Sequence, residues 1–152
     1  MKKDDCIFCK LAGGDIKTNA LYEDDIVKVI FDLSPASRGH VLIIPKEHFA
    51  DIYELDDETA AHIFKVAVKV ANAMKKTLGY DGLNVVQNNG EAAGQTVFHF
   101  HMHLIPRYKD DKVNVGWEPG SIDENGIDEC VDDLALAGGV FKVQVTEAFQ
   151  EV

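Results

Sequence analysis

The sequence predicts an α+β fold, in which an antiparallel sheet of about five strands carries one long helix and one short N-terminal helix. Short apolar runs bounded by turn residues occur along residues 21–45 and again along residues 83–106, as expected for strands. Between them, residues 57–78 repeat apolar side chains with helical spacing. Strands joined by short turns pair antiparallel, and 152 residues suffice for one domain with a hydrophobic core.

The first third of the chain predicts a short helix followed by three strands. Residues 6–12 have helical apolar spacing and end at paired glycines, which favour the end of a helix. Residues 21–23 and 26–32 are typical of two strands around an acidic turn. Residues 40–45 predict a third strand, which a proline ends.

Residues 57–78 give the clearest helical pattern. Asp56 or Asp57 can cap the start of this helix, and Gly79 can end it. One stripe of the helix is polar and includes His62, which we expect to be exposed and uninvolved in function. The opposite stripe, which must cover the sheet or a partner, comprises Ala60, Ile63, Phe64, Ala67, Val68, Ala71, Met74 and Leu78.

The second half of the chain predicts two more strands, so the strands form a meander with the long helix after the third strand. Residues 83–87 form the fourth predicted strand, residues 88–96 a loop, and residues 97–106 a strand rich in histidine. Beyond these elements, residues 122–137 are compatible with a helix and residues 141–145 with a short strand.

The histidine strand carries the strongest chemical signal. His99, His101 and His103 share one face of a strand, while the apolar residues between them face the core. Clustered imidazoles can bind a metal or transfer protons near neutral pH. The pattern is compatible with a nucleophilic imidazole and its helpers, with a catalytic metal held by three imidazoles, with a binding module, or with incidental surface histidines.

The loop before the histidine strand favours an anion. Gly90 and Gly94 can adopt positive φ, so that successive backbone N–H groups form an anion-binding nest, and Thr96 adds a hydroxyl donor. Such a site beside clustered imidazoles fits phosphoryl chemistry, in which a neutral imidazole attacks phosphorus and a neighbouring group protonates the departing atom. Attack by a neutral imidazole predicts that activity falls below a pH of about 6.5.

The N-terminal Cys-x-x-Cys pair, Cys6 and Cys9, has three interpretations. The spacing is compatible with a metal site, with a redox pair and with neither function. The third cysteine, Cys130, is interpreted as an ordinary residue, and three cysteines do not indicate a disulfide framework.

Composition excludes several classes of partner. The net charge of −11 argues against binding to nucleic acid, because backbone phosphates require a basic face. No apolar run reaches the roughly 18 residues that cross a bilayer, and the charged N-terminus lacks the apolar region of a signal peptide. We therefore expect no membrane partner and a cytoplasmic location.

The run His99-Phe100-His101-Met102-His103-Leu104-Ile105 resembles the signature of the histidine triad (HIT) family, in which three histidines alternate with apolar residues. The similarity extends from Cys6 to about Pro106 and is closest to the Hint-like branch with a bacterial-type zinc site. It implies a single HIT domain over residues 1–152, with a core at 6–106 and a C-terminal extension at 107–152. The other matching segments are Cys6-Ile7-Phe8-Cys9, Phe31-Asp32-Leu33-Ser34-Pro35, residues 39–48, and Gly94-Gln95-Thr96-Val97.

The resemblance implies an enzyme that cleaves derivatives of nucleoside 5′-monophosphates, such as phosphoramidates and aminoacyl adenylates, with a purine nucleotide as the substrate. His101 would attack the α-phosphorus and form a nucleotidyl-histidine, which water then cleaves. His103 would contact the phosphate and assist the leaving group, and His40 would support the triad. A dinucleoside polyphosphate hydrolase and a nucleotide-binding regulatory module are the alternatives within the family.

The resemblance also implies where the nucleotide binds. Asp32 matches the carboxylate that binds ribose hydroxyls, and Thr96 stands where many Hint-like members carry serine. The positions that match phosphate-holding residues are Asn88, Gly94, Gln95 and Thr96. The positions that match the apolar base pocket are Ile7, Phe8, Leu11, Ile30 and Leu33. Such a pocket holds a base by stacking and apolar contact, so we expect weak base preference.

Two further features follow from the resemblance. The first is a structural zinc ion with four protein ligands, which are Cys6, Cys9, His48 and His99. Four protein ligands leave no open position for water, so this zinc would not be catalytic. The second is a two-fold homodimer, in which the long helix and an edge strand pair across the axis and the sheet extends between the subunits.

Overall fold

The computed structural model describes residues 2–123 and, further along the chain, Gly126, Cys130, Asp133 and Leu134. The chain divides into two compact units, Met1–Val115 and Gly116–Val152. None of the helices in the described ranges is long and apolar enough to cross a membrane. The elements of the first unit are α1 (Ile7–Gly13), β1 (Ala20–Glu23), β2 (Val27–Phe31), β3 (Val41–Pro45), α2 (Asp57–Leu78), β4 (Gly82–Val86), a 3-10 turn (Glu91–Ala93) and β5 (Met102–Arg107).

The five strands form one antiparallel sheet in the order β1-β2-β3-β5-β4, which confirms the predicted α+β class. The predicted meander is wrong in one respect, because β5 lies between β3 and β4. Helix α2 connects β3 to β4 and carries the chain past one strand position. The last strand then fills that position, so β5 pairs with two strands and occupies the interior of the sheet.

Helix α2 begins and ends where its capping residues predict. The Asp56 carboxylate accepts a hydrogen bond from the Thr59 N–H at 2.8 Å, and Gly79 adopts a left-handed conformation with φ 63°. The buried stripe of the helix differs in part from the predicted one, because Phe64 and Val68 are each 59% exposed. The residues that the helix buries are Ile63, Val66, Ala67, Val70 and Met74.

Both faces of the central strands are covered, which explains the uninterrupted apolar run in β3. Val41 and Ile43 face the core formed with α2, while Leu42 and Ile44 belong to a smaller cluster with α1. The alternation continues in β5, where Met102 lies in the α2 core. Helix α1 thus covers the face of the sheet on which the histidines project.

The histidine strand is shorter than predicted. β5 begins at Met102, and residues 97–101 precede it without ladder pairing. The ladder with β3 ends at the Ile43–Met102 pair, although β3 itself continues to Pro45. The Phe100 N–H instead donates to the Phe49 carbonyl at 2.6 Å, outside the ladder. Phe100 still packs in the α2 core, so the predicted alternation of faces holds.

The remaining predictions concern residues outside the sheet. His62 is half-buried, and its Nε2 lies 2.7 Å from an oxygen of Asp24, so the prediction that this residue is exposed is wrong. Asp24 lies in the turn between β1 and β2, and its contact with His62 joins this turn to α2.

In the second unit, Gly126, Cys130, Asp133 and Leu134 are helical, as predicted for residues 122–137. The strand predicted at 141–145 lies outside the described residues.

Candidate active site and metal centre

A cavity of about 300 Å³ opens beside α1 and gathers most of the predicted site residues. Its apolar wall comes from α1 and the end of β2, and its polar wall comes from the histidine segment. Leu33 is 96% exposed and Ile7 is 45% exposed, so both lie at the rim. The predicted residues that line the cavity are Ile7, Phe8, Leu11, Ile30, Asp32, Leu33, Thr96, His101 and His103.

The His101 ring is held as a neutral nucleophile would be. Its Nδ1 lies 2.7 Å from the His99 carbonyl oxygen, so Nδ1 carries the proton and donates it. The lone pair is therefore on Nε2, as the sequence predicts for a nucleophilic imidazole. The Phe8 ring packs edge-on against the His101 ring, with centroids 4.9 Å apart, and His101 is only 6% exposed.

A chain of hydrogen bonds fixes the tautomers of His40 and His103. The Ala36 N–H donates to His40 Nδ1 at 3.0 Å, so a neutral His40 carries its proton on Nε2. That Nε2 lies 2.9 Å from His103 Nδ1 and donates to it. His103 then carries its own proton on Nε2. His40 is predicted to support the triad, and this support would act through His103, because His40 determines which nitrogen of His103 can donate a proton.

Asp32 lies beside this chain, too far from either imidazole for a hydrogen bond. One carboxylate oxygen accepts the Ser34 N–H at 2.8 Å, and the other lies 3.6 Å from His40 Nε2 and 4.0 Å from His103 Nδ1. The three side chains are close enough to hold a cation. We assign them to hydrogen bonding, because His40 Nδ1 already accepts an N–H and a neutral imidazole cannot offer a second lone pair at Nε2.

Burial keeps the histidines of the cavity neutral. Loss of solvation lowers the pKa of His101, and the hydrogen bond to the His99 carbonyl and the Asp32 charge oppose this only in part. Burial and the neighbouring imidazoles of His101 and His40 lower the pKa of His103 to about 4. The pKa of His40 is lowered by burial as well. At neutral pH the cavity therefore presents uncharged rings, not imidazolium ions.

The glycine loop has the predicted conformation but uses its N–H groups internally. Gly90 and Gly94 have φ of 81° and 84°. The N–H groups of Ala93, Gly94 and Gln95 all donate to carbonyls within the loop. The Gly90 N–H donates to the Gln95 side chain at 2.8 Å. Thr96 and Val97 line the cavity, and among the described residues nothing accepts from their N–H groups, so these two groups and the Thr96 hydroxyl can serve as donors to an anion there.

Three predicted phosphate-binding residues do not line the cavity. Gln95 is 3% exposed, and its amide nitrogen donates to the carbonyls of Ala50 and Val97, at 2.7 and 3.1 Å. Gln95 therefore shapes the loop. Asn88 and Gly94 do not line the cavity; they neighbour each other, since a Cβ on Gly94 would lie 3.7 Å from the Asn88 amide nitrogen.

Cys6, Cys9, His48 and His99 form a second cluster of ligand-type residues. Cys6 caps α1, and its sulfur accepts the Cys9 N–H at 3.4 Å. His99 donates from Nε2 to the Pro45 carbonyl at 3.0 Å, which leaves a lone pair on Nδ1 facing the sulfurs. His48 turns its Nδ1 to the same point, while its Nε2 is buried without a partner among the described residues.

The donor set fits a tetrahedral zinc ion. The sulfurs of Cys6 and Cys9 lie 3.4 and 3.5 Å from His99 Nδ1, and the two imidazole nitrogens lie 3.2 Å apart. Zn–S and Zn–N bonds of ordinary length at tetrahedral angles would separate sulfur from nitrogen by about 3.6 Å and nitrogen from nitrogen by about 3.3 Å. Burial raises the pKa of the Cys9 thiol, so its thiolate form requires a nearby cation.

The HIT domain family model matches residues 13–110, which is more than half of the chain. The chain belongs to the HIT family. Among curated relatives, "Protein hit" of Bacillus subtilis is 46% identical over 116 residues, which cover 76% of this chain and 80% of the relative. The adenosine 5′-monophosphoramidase hnt1 of Schizosaccharomyces pombe is 43% identical over 113 residues, which cover 74% of this chain and 82% of that protein.

Solved structures of HIT proteins have the same fold. A HIT family protein from Bacillus anthracis superimposes with a TM-score of 0.82 at 43% identity, covering 88% of this chain and 97% of the other. A zinc-bound histidine triad family protein from Mycobacterium smegmatis gives a TM-score of 0.69 at 36% identity, covering 88% and 97% of the two chains. The predicted family and fold are thereby confirmed.

Four residues line the cavity of this HIT domain that the sequence did not single out. Leu42 faces the cavity because it pairs with His103 across the β3–β5 ladder. Its position could have been found only with the register of the two strands. The others are Thr18, Phe31 and Val97. Phe31 and Val97 lie in two of the matching segments but the resemblance assigns them no role, and Thr18 lies in none of them.

The lowered pKa of His101 makes a prediction about pH. Attack needs the unprotonated ring, so activity is lost as the pH falls through the pKa of His101, which burial has moved below its ordinary value of about 6.5. We expect kcat/KM to stay level from about pH 8 to about pH 6.5 and to fall only at lower pH. Half-loss at or above about pH 6.5 would contradict a buried neutral nucleophile. The ring resonances of His101, followed by NMR over the same range, give an independent check.

Proposed function

We propose that this HIT protein is a nucleotide hydrolase that cleaves the phosphorus–heteroatom bond of nucleoside 5′-monophosphate derivatives through a nucleotidyl-histidine. The observation that carries the proposal is the His101 tautomer. An imidazole whose Nδ1 proton is held by a backbone carbonyl presents its Nε2 lone pair to the cavity. The monophosphoramidase activity named for the fission yeast relative supports the same reaction.

The walls of the cavity suit the parts of a nucleotide. Phe8, Leu11 and Ile30 offer an apolar surface to the base, which they would hold without strong base preference. Asp32 lies between this surface and His103, where its carboxylate can accept ribose hydroxyls. Thr96 supplies a hydroxyl and an N–H to the phosphate.

The reaction proceeds in two displacements. His101 Nε2 forms a bond to the α-phosphorus, and the bond from phosphorus to the leaving atom breaks with its electron pair on that atom. The leaving atom takes a proton with the help of the His103 Nε2–H. Water then attacks the phosphorus and gives a proton to His103 Nε2, which replaces the proton taken by the leaving atom, and the phosphorus–nitrogen electron pair returns to His101. Together the steps consume one water and no net proton.

The other interpretations of the histidines have less support. Three imidazoles on one catalytic metal would have to converge, but His99 joins the cysteine cluster while the His101 Nδ1 is held by a carbonyl. A dinucleoside polyphosphate hydrolase would use the same nucleophile and differ only in the leaving group. A binding module without turnover would need no oriented lone pair.

We further propose that Cys6, Cys9, His48 and His99 hold a structural zinc ion. When bound, zinc supplies two thiolate bonds that join α1 to the histidine segment. The chain's own contacts show why this matters. Phe8 immediately precedes the proposed ligand Cys9 in the sequence, and its ring packs against the His101 ring. The His101 Nδ1–H donates a hydrogen bond to the carbonyl oxygen of His99, another proposed ligand.

We also propose that the protein is a homodimer built on α2 and β4. Phe64 and Val68 of α2 are each 59% exposed, and Val85 of β4 and Ile52 are each 49% exposed. Phe64, Val85 and Ile52 line one apolar depression of about 200 Å³. β4 is at the end of the strand order, so its outer edge can pair with a second copy.

Replacement of the nucleophile tests the reaction. We expect His101→Ala to lower kcat/KM for adenosine 5′-phosphoramidate by at least about a thousandfold, because the covalent route is lost. His62→Gln, a histidine change outside the cavity, serves as the matched control and should retain turnover. Acid-quenched wild-type protein should carry a nucleotidyl adduct in mass spectrometry. Undiminished turnover by His101→Ala would overturn the proposal.

Metal analysis tests the zinc site. Purified protein should contain one zinc per chain, and Cys9→Ser should lose zinc and at least about 4 °C of Tm, since metal binding contributes directly to folding. Cys130→Ser removes an exposed cysteine and should change neither. Zinc-free wild-type protein with the same Tm after metal addition would refute the site.

Sedimentation equilibrium tests the dimer. Wild-type protein should have twice the chain mass, and Phe64→Glu should reduce the mass to that of one chain because a buried carboxylate opposes association. Tyr53→Glu alters an aromatic residue that is 86% exposed and should remain dimeric. A monomeric wild-type protein at micromolar concentration would show that this face has another role.

A further inference from the structure

A cavity of about 480 Å³ is lined by residues that follow α1 and by one residue of β2. Both charged side chains that line this lysine cavity are cations, Lys17 and Lys28. We propose that the lysine cavity binds a small phosphate monoester, at a place separate from the nucleotide cavity. The residues that line it are Gly14, Ile16, Lys17, Thr18, Asn19 and Lys28.

Lys28 is a buried cation on the face of β2 that α1 covers. Its partner across the β2–β3 ladder is Ile44, which belongs to the smaller cluster with α1, and only 6% of Lys28 is exposed. A lysine is rarely buried to this extent without an anion beside it. Its Nζ lies 3.4 Å from a carboxylate oxygen of Glu23, which is longer than the roughly 2.7–2.9 Å of a charge-assisted hydrogen bond. The ammonium therefore keeps donors for a second anion.

The Glu23 carboxylate is shared between two lysines. Its other oxygen lies 2.9 Å from Lys46 Nζ, and this contact is the main cause of the lowered pKa of Glu23. Two ammonium groups thus face one carboxylate, and one positive charge stays uncompensated within this group of three side chains. A phosphate in the lysine cavity would compensate that charge locally, although the chain as a whole carries a net charge of −11.

The segment between α1 and β1 supplies three more polar side chains to the lysine cavity. They are the Lys17 ammonium, the Thr18 hydroxyl and the Asn19 amide. Among the residues that the structure describes, none forms a hydrogen bond or an ion pair with these three side chains. An ammonium, a hydroxyl and an amide N–H can donate to different oxygens of one phosphate. These donors and Lys28 line one cavity, so a single phosphate can accept from more than one of them.

Both ends of this segment are held by backbone pairing. At its start the Ile16 N–H donates to the Lys10 carbonyl at 3.1 Å, and at its end Ala20 pairs with Ile30 in the β1–β2 ladder. The side chains in between therefore project from a backbone of defined position. A backbone that is fixed beforehand lowers the entropy lost when a ligand binds.

The volume of the lysine cavity indicates a phosphate that carries an organic group. At about 480 Å³ it exceeds the nucleotide cavity of about 300 Å³ and falls in the range of roughly 300–1,000 Å³ that small-molecule sites occupy. One water takes up roughly 30 Å³ of liquid, so a bare phosphate would leave most of this cavity hydrated. Ile16 provides apolar surface for a carbon skeleton, while Thr18 and Asn19 can bond to its hydroxyl groups. A polyol phosphate or a sugar phosphate meets these conditions.

The lysine cavity and the nucleotide cavity are separate sites. Thr18 lines both, whereas Thr96, His101 and His103 line only the nucleotide cavity. The proposed ester therefore needs neither the histidines nor turnover, and the inference does not rest on the hydrolase function. Binding measurements test it without a substrate.

A titration resolved by residue tests the site. In ¹H–¹⁵N NMR spectra of the full chain at constant ionic strength, glycerol 3-phosphate should shift the Lys17 and Asn19 amides to saturation. Glycerol lacks the anion and should leave these resonances in place, and inorganic phosphate should bind with a higher Kd. The absence of saturable shifts at these two residues, or shifts confined to Val97 of the nucleotide cavity, would show that the lysine cavity binds no phosphate. A Kd for inorganic phosphate at or below that of glycerol 3-phosphate would refute the ester as the ligand.

A charge reversal tests Lys17. Lys17→Glu should raise the Kd of glycerol 3-phosphate by at least about tenfold, because one charge-assisted contact is lost and a repulsive charge takes its place. Lys69→Glu makes the same change at an exposed position of α2 and should keep the wild-type Kd. Equal Kd values in the two variants would contradict the proposal.

Removal of the competing carboxylate tests Lys28. Glu23→Gln should lower the Kd of glycerol 3-phosphate by roughly two- to fivefold, since the Lys28 ammonium is then released from a partial ion pair. Glu58→Gln removes an exposed carboxylate of α2 and should change the Kd much less. If Lys28 serves only to pair with Glu23, the Kd in Glu23→Gln will be unchanged or higher, and that result would refute binding through Lys28.

Discussion

The site depends on the three contacts that His99 makes. Its Nδ1 faces the cysteine sulfurs, its Nε2 donates to the Pro45 carbonyl, and its own carbonyl accepts the proton of His101 Nδ1. One residue thus connects the proposed metal centre, the end of β3 and the proposed nucleophile. His99 is 0% exposed, so water cannot replace any of these partners. We therefore expect a change at the cysteine cluster to reach His101 through His99.

The same geometry explains why a seven-residue helix suffices to build a binding cavity. An isolated helix of this length is not stable in water. Helix α1 is held at its start by the Cys6 cap and along one side by Phe8, Leu11 and Ala12, which pack on the sheet. The base pocket is the gap that this short helix leaves beside β2. The contacts that stabilise α1 therefore also determine the shape of the pocket.

The sequence was most informative where local rules decide the structure. Alternation placed the histidines opposite the apolar residues, and Asp56 and Gly79 marked both ends of α2. The position of β5 between β3 and β4 could not be predicted, because it depends on pairing between strands distant in sequence. Gln95 shows a related limit. Its motif position predicts contact with phosphate, and the sequence alone does not show that its side chain is buried and hydrogen-bonded to Gly90, Ala50 and Val97.

An acidic protein that binds a phosphate must solve an electrostatic problem, and the cavity does so by avoiding charge. With a net charge of −11, the chain repels anions at long range. Imidazolium ions would attract phosphate, but a protonated His101 has no lone pair to attack with. Burial resolves the conflict by keeping the rings neutral, which leaves N–H donors and apolar walls to hold the proposed nucleotide. The attraction given up in charge is the condition under which His101 can act as the proposed nucleophile at neutral pH.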